Sequence, residues 1–135
     1  MRKDSRLSRI LHVLVHLKHF DRPATSEEMG KMMQTNPVVV RRTMALLKEV
    51  GYVSSIKGHN GGWSLAQDLS AITLYDIYKL LGEGSLFTLG LSDEHTQCKI
   101  EQAVNHALDD VMSEAQTLML ERFKSITIDS LSHNN

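Results

Sequence analysis

Apolar residues recur at three- and four-residue steps in the first part of the chain, which places them on one face of successive α-helices. The first stretch runs from Ser5, a candidate N-cap, to about residue 18, and Pro23 stops it. The letters "TSEE" then begin a second helix, because Thr25 and Glu28 have the spacing of a capping box. The pattern predicts two helices joined by a short break.

A third helix and a hairpin follow. After a tight turn, Asn36 is a candidate N-cap, Pro37 takes the first helical position and Gly51 ends the helix. The short extended runs "YVSSI" (52–56) and "WSLA" (63–66) flank the glycine-rich "KGHNGG", which predicts a β-hairpin. Thr73 and Asp76 then begin a helix that ends near residue 82.

The last third predicts one long helix. A loop is expected over 82–92, a helix over about 96–123, and one more helical turn over 126–131. The long helix has an apolar stripe of Ile100, Val104, Ala107, Leu108, Val111, Ala115, Leu118, Met119 and Phe123. At ~1.5 Å per residue it is roughly 40 Å long, more than a small domain covers. Its length favours pairing with the same helix of a second copy.

This order of elements is that of a winged helix-turn-helix. The fold class is therefore mainly α with a small β-hairpin, and we divide the chain into a DNA-binding domain (1–82) and a second part (83–135) with linker, dimerisation helix and tail. In such a module the third helix enters the major groove of double-stranded DNA, and the hairpin, or wing, reaches the neighbouring backbone or the minor groove.

The front of the third helix carries the candidate base-reading residues. Val40, Thr43, Met44 and Leu47 are spaced for the core. Arg41 and Arg42, with the neighbouring Val38, Val39 and Asn36, then offer guanidinium and apolar contacts to base edges. The alternative is that the valines belong to the core and the arginines to a solvated face.

Further residues are candidates for phosphate contact. Lys57 and His59 flank glycines in the wing, and Ser26 begins the second helix, where backbone N–H groups attract anions. Ser26 is equally explained as a helix-start residue. The basic residues Arg2, Lys3 and Arg6 extend the same set.

Charge supports an anionic partner for the first half of the chain. Residues 1–66 carry 11 Lys/Arg and 5 Asp/Glu, a net +6, whereas residues 67–135 carry 4 and 11, a net −7. No apolar run is long enough for a membrane span. The single cysteine cannot form a disulfide within the chain, which fits a cytoplasmic location.

The chain resembles the Rrf2 family of bacterial transcriptional regulators. The resemblance is carried by "TSEEMGKMM", "NPVVVRRTMALLKEVGYVSSIKG", "GGWSLAQDLSAITLYDIYKLLGE", "CKIEQAVNHAL" and "ITIDSL". It implies a homodimer held by the long helix, a roughly palindromic operator and, as in many members, repression. Cluster-binding members have three cysteines before the long helix, and this chain has Cys98 alone, so we expect no iron–sulfur cluster. Relatives often carry arginine at the wing tip, where this chain has His59, which predicts a weaker wing contact near neutral pH.

Other reactive side chains have two interpretations each. Cys98, at the start of the long helix, is a candidate redox sensor, but we favour a small, partly buried hydrophobe at the dimer joint because no resolving cysteine exists in the chain. His12, His16 and His19 could share a helical face, and His12 and His16 have the four-residue spacing of a metal-binding pair. Without a clear third ligand we favour a polar helix face and expect no metal site.

The sequence therefore predicts a DNA-binding repressor rather than an enzyme. It lacks a nucleophile elbow, a phosphate loop and a metalloprotease helix. The regulator would respond to a thiol-redox signal or to an unknown small-molecule effector. The alternative is a winged-helix module that docks a partner protein, with DNA binding incidental.

Overall fold

The computed structural model describes residues 5–82, 91–92 and 95–132, and these contain six helices and a two-stranded sheet. The elements in chain order are α1 (Arg6–Lys18), α2 (Ser26–Met33), α3 (Pro37–Glu49), β1 (Val53–Ile56), β2 (Gly62–Leu65), α4 (Leu74–Leu80), α5 (Lys99–Ser125) and α6 (Ile128–Leu131). A 3₁₀ turn at Leu69–Ala71, which the pattern did not predict, precedes α4. The predicted winged helix-turn-helix with a long C-terminal helix is confirmed. Most of the predicted loop over 82–92, and Arg2 and Lys3, lie outside the described residues.

Local capping sets two of the helix starts. In α2 the Thr25 side chain accepts from the Glu28 N–H at 3.1 Å, and Glu28 in turn accepts from the Thr25 N–H at 3.1 Å. Thr73 and Asp76 form the same reciprocal pair at the start of α4. Ser5 takes the N-cap position of α1, but its side chain makes no capping hydrogen bond, so that part of the prediction is wrong.

The hairpin is tied to the segment that precedes α2. Strands β1 and β2 are antiparallel, with Val53 opposite Leu65 and Ile56 opposite Gly62. Trp63 of β2 also pairs with Ala24 through two backbone hydrogen bonds of 2.9 and 2.8 Å. A Cβ on Gly62 would lie 2.5 Å from the Ala24 carbonyl oxygen, so only glycine permits this close approach. The base of the wing is thereby fixed to the helix-turn-helix.

One hydrophobic core joins α1, α3 and the C-terminal segment. Its fully buried side chains include Leu14, Met29, Val40, Met44, Leu47, Leu69, Ile72, Ile77 and Ile128. Ile128 comes from α6, which returns to α1, where Lys18 forms an ion pair with Asp129. The division at residue 82 stays a prediction, but the last turn of the chain packs with the first helix.

Helix α5 contacts the winged module through its C-terminal end. The Phe123 ring meets Tyr78 of α4 edge-on at 6.0 Å between centroids, and Lys124 Nζ lies 4.9 Å from the Tyr75 ring centroid. Five large apolar side chains of α5 are exposed: Ile100, Val104, Leu108, Val111 and Leu118. Across the described residues, no helix combines the length and the apolar character that a bilayer span requires.

Candidate nucleic-acid interface

One face of α3 is packed into the hydrophobic core. Val40, Met44 and Leu47 are all fully buried, as the spacing predicted, and they anchor the helix in the core. Asn36 Oδ1 accepts from the Val38 N–H at 2.7 Å, and Pro37 occupies the first helical position. Because Asn36 is exposed and uses only its oxygen in the cap, its amide N–H₂ group remains a donor for a ligand.

The two arginines extend from this anchored helix into solvent. Arg41 and Arg42 are both exposed, and among residues 5–82, 91–92 and 95–132 neither guanidinium has a hydrogen-bond or ion-pair partner. Val38 is 50% exposed, and Val39 is half-buried. Both arginines thus face solvent in the single chain, which either interpretation requires. The three consecutive valines divide between surface and core.

The two arginines differ in their surroundings, because Arg42 lines a cavity and Arg41 does not line it. Arg42 lines a small, mainly apolar cavity between α1 and α3, with Arg9, Leu46 and Leu81 among its neighbours. A long side chain that rests its aliphatic part on such a surface keeps its charged end in water. Arg42 is therefore restricted on one side, and Arg41 is the freer of the two.

Ser26 links the start of α2 to the wing. It is half-buried, and Trp63 Nε1 donates to its Oγ at 3.1 Å. A hydroxyl that accepts one hydrogen bond still has its own proton to donate, for instance to a phosphate oxygen. Trp63 is thus a packing residue at the base of the wing, and its indole N–H orients Ser26.

The wing tip is fully accessible. Lys57, Gly58, His59 and Asn60 are all exposed. Gly58 has φ +91°, a conformation that side chains other than glycine rarely adopt, so the tip needs glycine for its turn. His59 also borders a cleft that Arg22, Pro23 and Thr25 line on the side of α2.

Two polar contacts, one between α3 and the wing and one at the start of α2, were not singled out from the sequence. Lys48 Nζ of α3 donates to Ser55 Oγ of β1 at 2.8 Å. Arg22 makes a two-pronged ion pair with Glu28, at 2.9 and 2.5 Å, beside the cleft between the start of α2 and the wing tip. The sequence signal for Lys48 was its place on the same exposed stripe of α3 as Arg41.

The Arg22 pair controls the charge of Glu28. Hydrogen bonds from the Arg22 guanidinium, and then the Thr25 N–H, lower the pKa of Glu28 from 4.5 to about 2. The same pairing raises the pKa of Arg22. Both groups are therefore charged throughout the neutral range. The Arg22 guanidinium compensates the negative charge of Glu28, so Glu28 would not repel a phosphate in the cleft as an unpaired carboxylate would.

The described residues do not fit an iron–sulfur centre. Cys98, the single cysteine of the chain, is exposed at the N-cap position of α5 and makes no side-chain capping bond. In the described parts of the chain, no three His, Cys, Asp or Glu side chains lie together as metal ligands. Cys98 is exposed in the single chain, and both its burial at a dimer joint and its role as a redox sensor stay predictions.

Comparison with known proteins adds evidence of ancestry. The sequence model of the Rrf2 family, described as an iron-dependent transcriptional regulator, matches residues 4–134. YwnA of Bacillus subtilis, named as an HTH-type transcriptional regulator, is 29% identical over 131 residues, which cover 96% of this chain and 97% of YwnA. An HTH-type regulator of Aquifex aeolicus is 30% identical over 114 residues, 82% of this chain and 76% of that protein.

A solved structure has the same fold. A protein of Lactobacillus plantarum described as a transcriptional regulator superposes with a TM-score of 0.75 at 24% identity, over 94% of this chain and 87% of that one. At this level of identity the likeness concerns the fold, and it extends from the winged module through the long helix.

Proposed function

The chain belongs to the Rrf2 family of transcriptional regulators, and from this premise we propose that it represses transcription by binding a roughly palindromic operator as a homodimer. It is a DNA-binding regulator and not an enzyme. The observation that carries the proposal is the pair Arg41 and Arg42, exposed on a helix whose opposite face is fully buried. We also assign the protein to the cytoplasm, where a bacterial regulator meets the chromosome.

In the proposed complex α3 lies in the major groove. Arg41 and Arg42 donate to guanine edges or phosphates, and Val38 and Val39 contact thymine methyl groups. Asn36 and Ser26, at the starts of their helices, donate to the adjacent backbone. Lys57 and His59 of the wing reach the neighbouring phosphates. The Lys48–Ser55 bond and the Ala24–Trp63 pairing support this assignment, since they fix the spacing between α3 and the wing.

The proposed dimer is formed by α5. Its exposed apolar residues Ile100, Val104, Leu108, Val111 and Leu118 follow steps of four, four, three and seven, so they line one face of the helix. Such a continuous exposed face is typical of an interaction surface. A two-fold dimer presents two copies of α3, which bind half-sites about 34–36 Å apart. Repression follows if the bound dimer occupies the promoter and excludes the polymerase.

The dimer has its own test. Leu108→Glu with Val111→Glu should convert the protein to a monomer in sedimentation experiments, because two charges would be buried without partners. Ser113→Glu, on the opposite face of α5, is the matched control and should leave the dimer unchanged. A Leu108/Val111 variant that sediments like the wild type would rule out this face as the interface.

DNA recognition is tested by selecting bound duplexes from a random-sequence pool with the full-length protein. The expected result is an enriched, roughly palindromic sequence. If Lys57 and one arginine of each copy neutralise phosphates, four are neutralised per dimer, and the slope of log K against log salt should be about −3.6. Failure to enrich any sequence, with binding that hardly responds to salt, would favour the protein-docking alternative.

A response to a signal is the last part of the proposal. The exposed Cys98 thiol at the start of α5 is accessible to oxidants, and a change there would act at one end of the proposed dimer helix. A small-molecule effector is the other route to the same control.

A further inference from the structure

The cavity between α1 and α3 has the size and the wall of a small-molecule site. Its apolar wall is formed by Ile10 of α1, Leu46 of α3 and Leu81 at the end of α4, and its volume is about 180 Å³. A dry apolar cavity of about 150 Å³ in another protein holds a benzene molecule. The cavity is partly open to solvent and is therefore large enough to receive one aromatic ring from outside.

Three arginines give the mouth of this cavity a positive charge. Arg6 and Arg9 come from α1 and Arg42 comes from α3. The wall is mainly apolar although three arginines line it, so their aliphatic chains form part of the wall and their guanidinium groups stay toward the water. Among the described residues that line the cavity, none has a carboxylate. An apolar interior with a cationic mouth suits a ligand that is apolar at one end and anionic at the other.

Two of these guanidinium groups have hydrogen-bond donors available for a ligand. Arg42 makes no hydrogen bond or ion pair within residues 5–82, 91–92 and 95–132. Arg9 donates to the neutral hydroxyl of Ser5 at 3.3 Å, which uses one of the five N–H donors of its guanidinium. A hydrogen bond from arginine to a carboxylate is stronger than one to a hydroxyl, so an anionic ligand gains more from Arg9 than Ser5 does.

We propose that this cavity binds a small monocarboxylate with one apolar ring, and that the bound carboxylate competes with DNA for Arg42. The ring fills the space beside Leu46, and the carboxylate accepts hydrogen bonds from Arg9 and Arg42. An uncharged ring would use only the apolar wall, and inorganic phosphate would use only the arginines. The regulatory part of the proposal rests on the proposed function, because it gives the chemical class of the small-molecule effector.

The consequence for DNA binding follows from the two roles of Arg42. A carboxylate that accepts from its guanidinium holds this group on the α1 side of α3 and adds a negative charge next to the proposed DNA contacts. Both effects weaken DNA binding, and by linkage DNA lowers the affinity for the carboxylate by the same factor. Arg41 does not line the cavity and stays available, so binding is weakened and not abolished.

Binding is tested without DNA, by calorimetry with benzoate as the probe and with benzyl alcohol and inorganic phosphate as comparisons. The wild type should bind one benzoate per chain, and each comparison at least about tenfold more weakly, because it lacks either the charged contact or the apolar one. Arg9→Gln should weaken benzoate binding by about tenfold. Arg41→Gln is the matched control, an exposed arginine of α3 outside the cavity, and should bind benzoate like the wild type.

Several results of this titration would overturn the site. They are no benzoate binding by the wild type, equal binding of benzoate and phosphate, equal binding of benzoate and benzyl alcohol, or equal losses in Arg9→Gln and Arg41→Gln. If Arg9→Gln does not fold, Arg42→Gln takes its place in the same titration, because Arg42 is exposed and also lines the cavity.

Competition is tested by fluorescence anisotropy with the duplex enriched from the random pool. Saturating benzoate should weaken DNA binding by the wild type about tenfold or more, since one arginine contact is lost from each copy. Arg9→Gln should still bind the duplex and need about tenfold more benzoate for the same effect. Unchanged DNA affinity in saturating benzoate would overturn the competition. Benzoate binding by a protein that enriches no DNA would contradict the proposed function and support the cavity site.

Discussion

Removal of both guanidinium groups at the front of α3 is the most direct test of the proposed interface. Arg41 and Arg42 are exposed and make no hydrogen bond or ion pair within the described residues, so the double change to alanine breaks no protein contact of that kind. Exposed substitutions of this type usually change the free energy of unfolding by no more than about 0.5 kcal/mol. A large effect on DNA affinity would therefore come from the complex itself.

The magnitude follows from the symmetry of the proposed dimer. If one arginine of each copy forms a two-pronged contact with guanine, at about 1–3 kcal/mol each, the double variant loses about 2–6 kcal/mol per dimer. At about 1.4 kcal/mol per factor of ten, this is roughly a 30-fold to 10⁴-fold loss of affinity. Fluorescence anisotropy with the duplex enriched from the random pool measures it directly.

Lysine substitutions separate base contacts from phosphate contacts. Arg41→Lys keeps the charge but loses the planar fork, so a guanine contact would be lost while a phosphate contact would largely survive. The same comparison applies to Arg42, which its cavity restricts on one side. Lys99→Ala, an exposed charge removed from the start of α5, is the control and should bind like the wild type. A folded, dimeric Arg41/Arg42 double variant with unchanged affinity would show that α3 does not read DNA.

Three further predictions concern stability and the thiol. Leu47→Ala removes a fully buried side chain of α3 and should lower the free energy of unfolding by about 2–5 kcal/mol in a denaturant titration. A loss below about 1 kcal/mol in the same titration would contradict the tight packing of this side chain. The pKa of Glu28 is lowered from 4.5 to about 2 in the folded protein, so the Glu28–Arg22 pair stabilises the fold fully above pH 4.5 and its contribution should disappear as the pH falls toward 2. Glu28→Gln should flatten the curve of unfolding free energy against pH in this range. An unchanged curve would show that the pair does not cause the acid dependence. Cys98→Ser should leave DNA affinity unchanged under reducing conditions, since the thiol is exposed and makes no capping bond. Loss of binding in that anisotropy assay would show that the thiol itself is needed for DNA binding and would contradict the preference for a structural role.

The helix starts and the faces of α3 were predictable because they depend on neighbours in the chain. A capping box needs Thr25 and Glu28 three residues apart, and a helical step of three or four puts Val40, Met44 and Leu47 on one side. The wing followed from two extended runs around glycines. The observed β2 begins and ends one residue earlier than predicted, because Gly62 pairs with Ile56, and β1 begins one residue later, at Val53. The sequence pattern does not contain this register.

Contacts between distant parts of the chain could be decided only in three dimensions. Lys18 meets Asp129, and Ile128 enters the core beside α1, although each pair is separated by more than a hundred residues. The exposure of Cys98 also depends on how α5 leaves the winged module, which no local spacing encodes. Likewise, a four-residue spacing puts His12 and His16 on one face, but the 2.8 Å between their nitrogens depends on the rotamers that the folded surface permits. The sequence alone thus determined the helices and the caps of α2, α3 and α4, since these depend on short-range geometry, and it supplied the candidate DNA contacts, which stay predictions. The tertiary structure decided which distant groups meet, because burial and side-chain orientation depend on the packing of the whole chain.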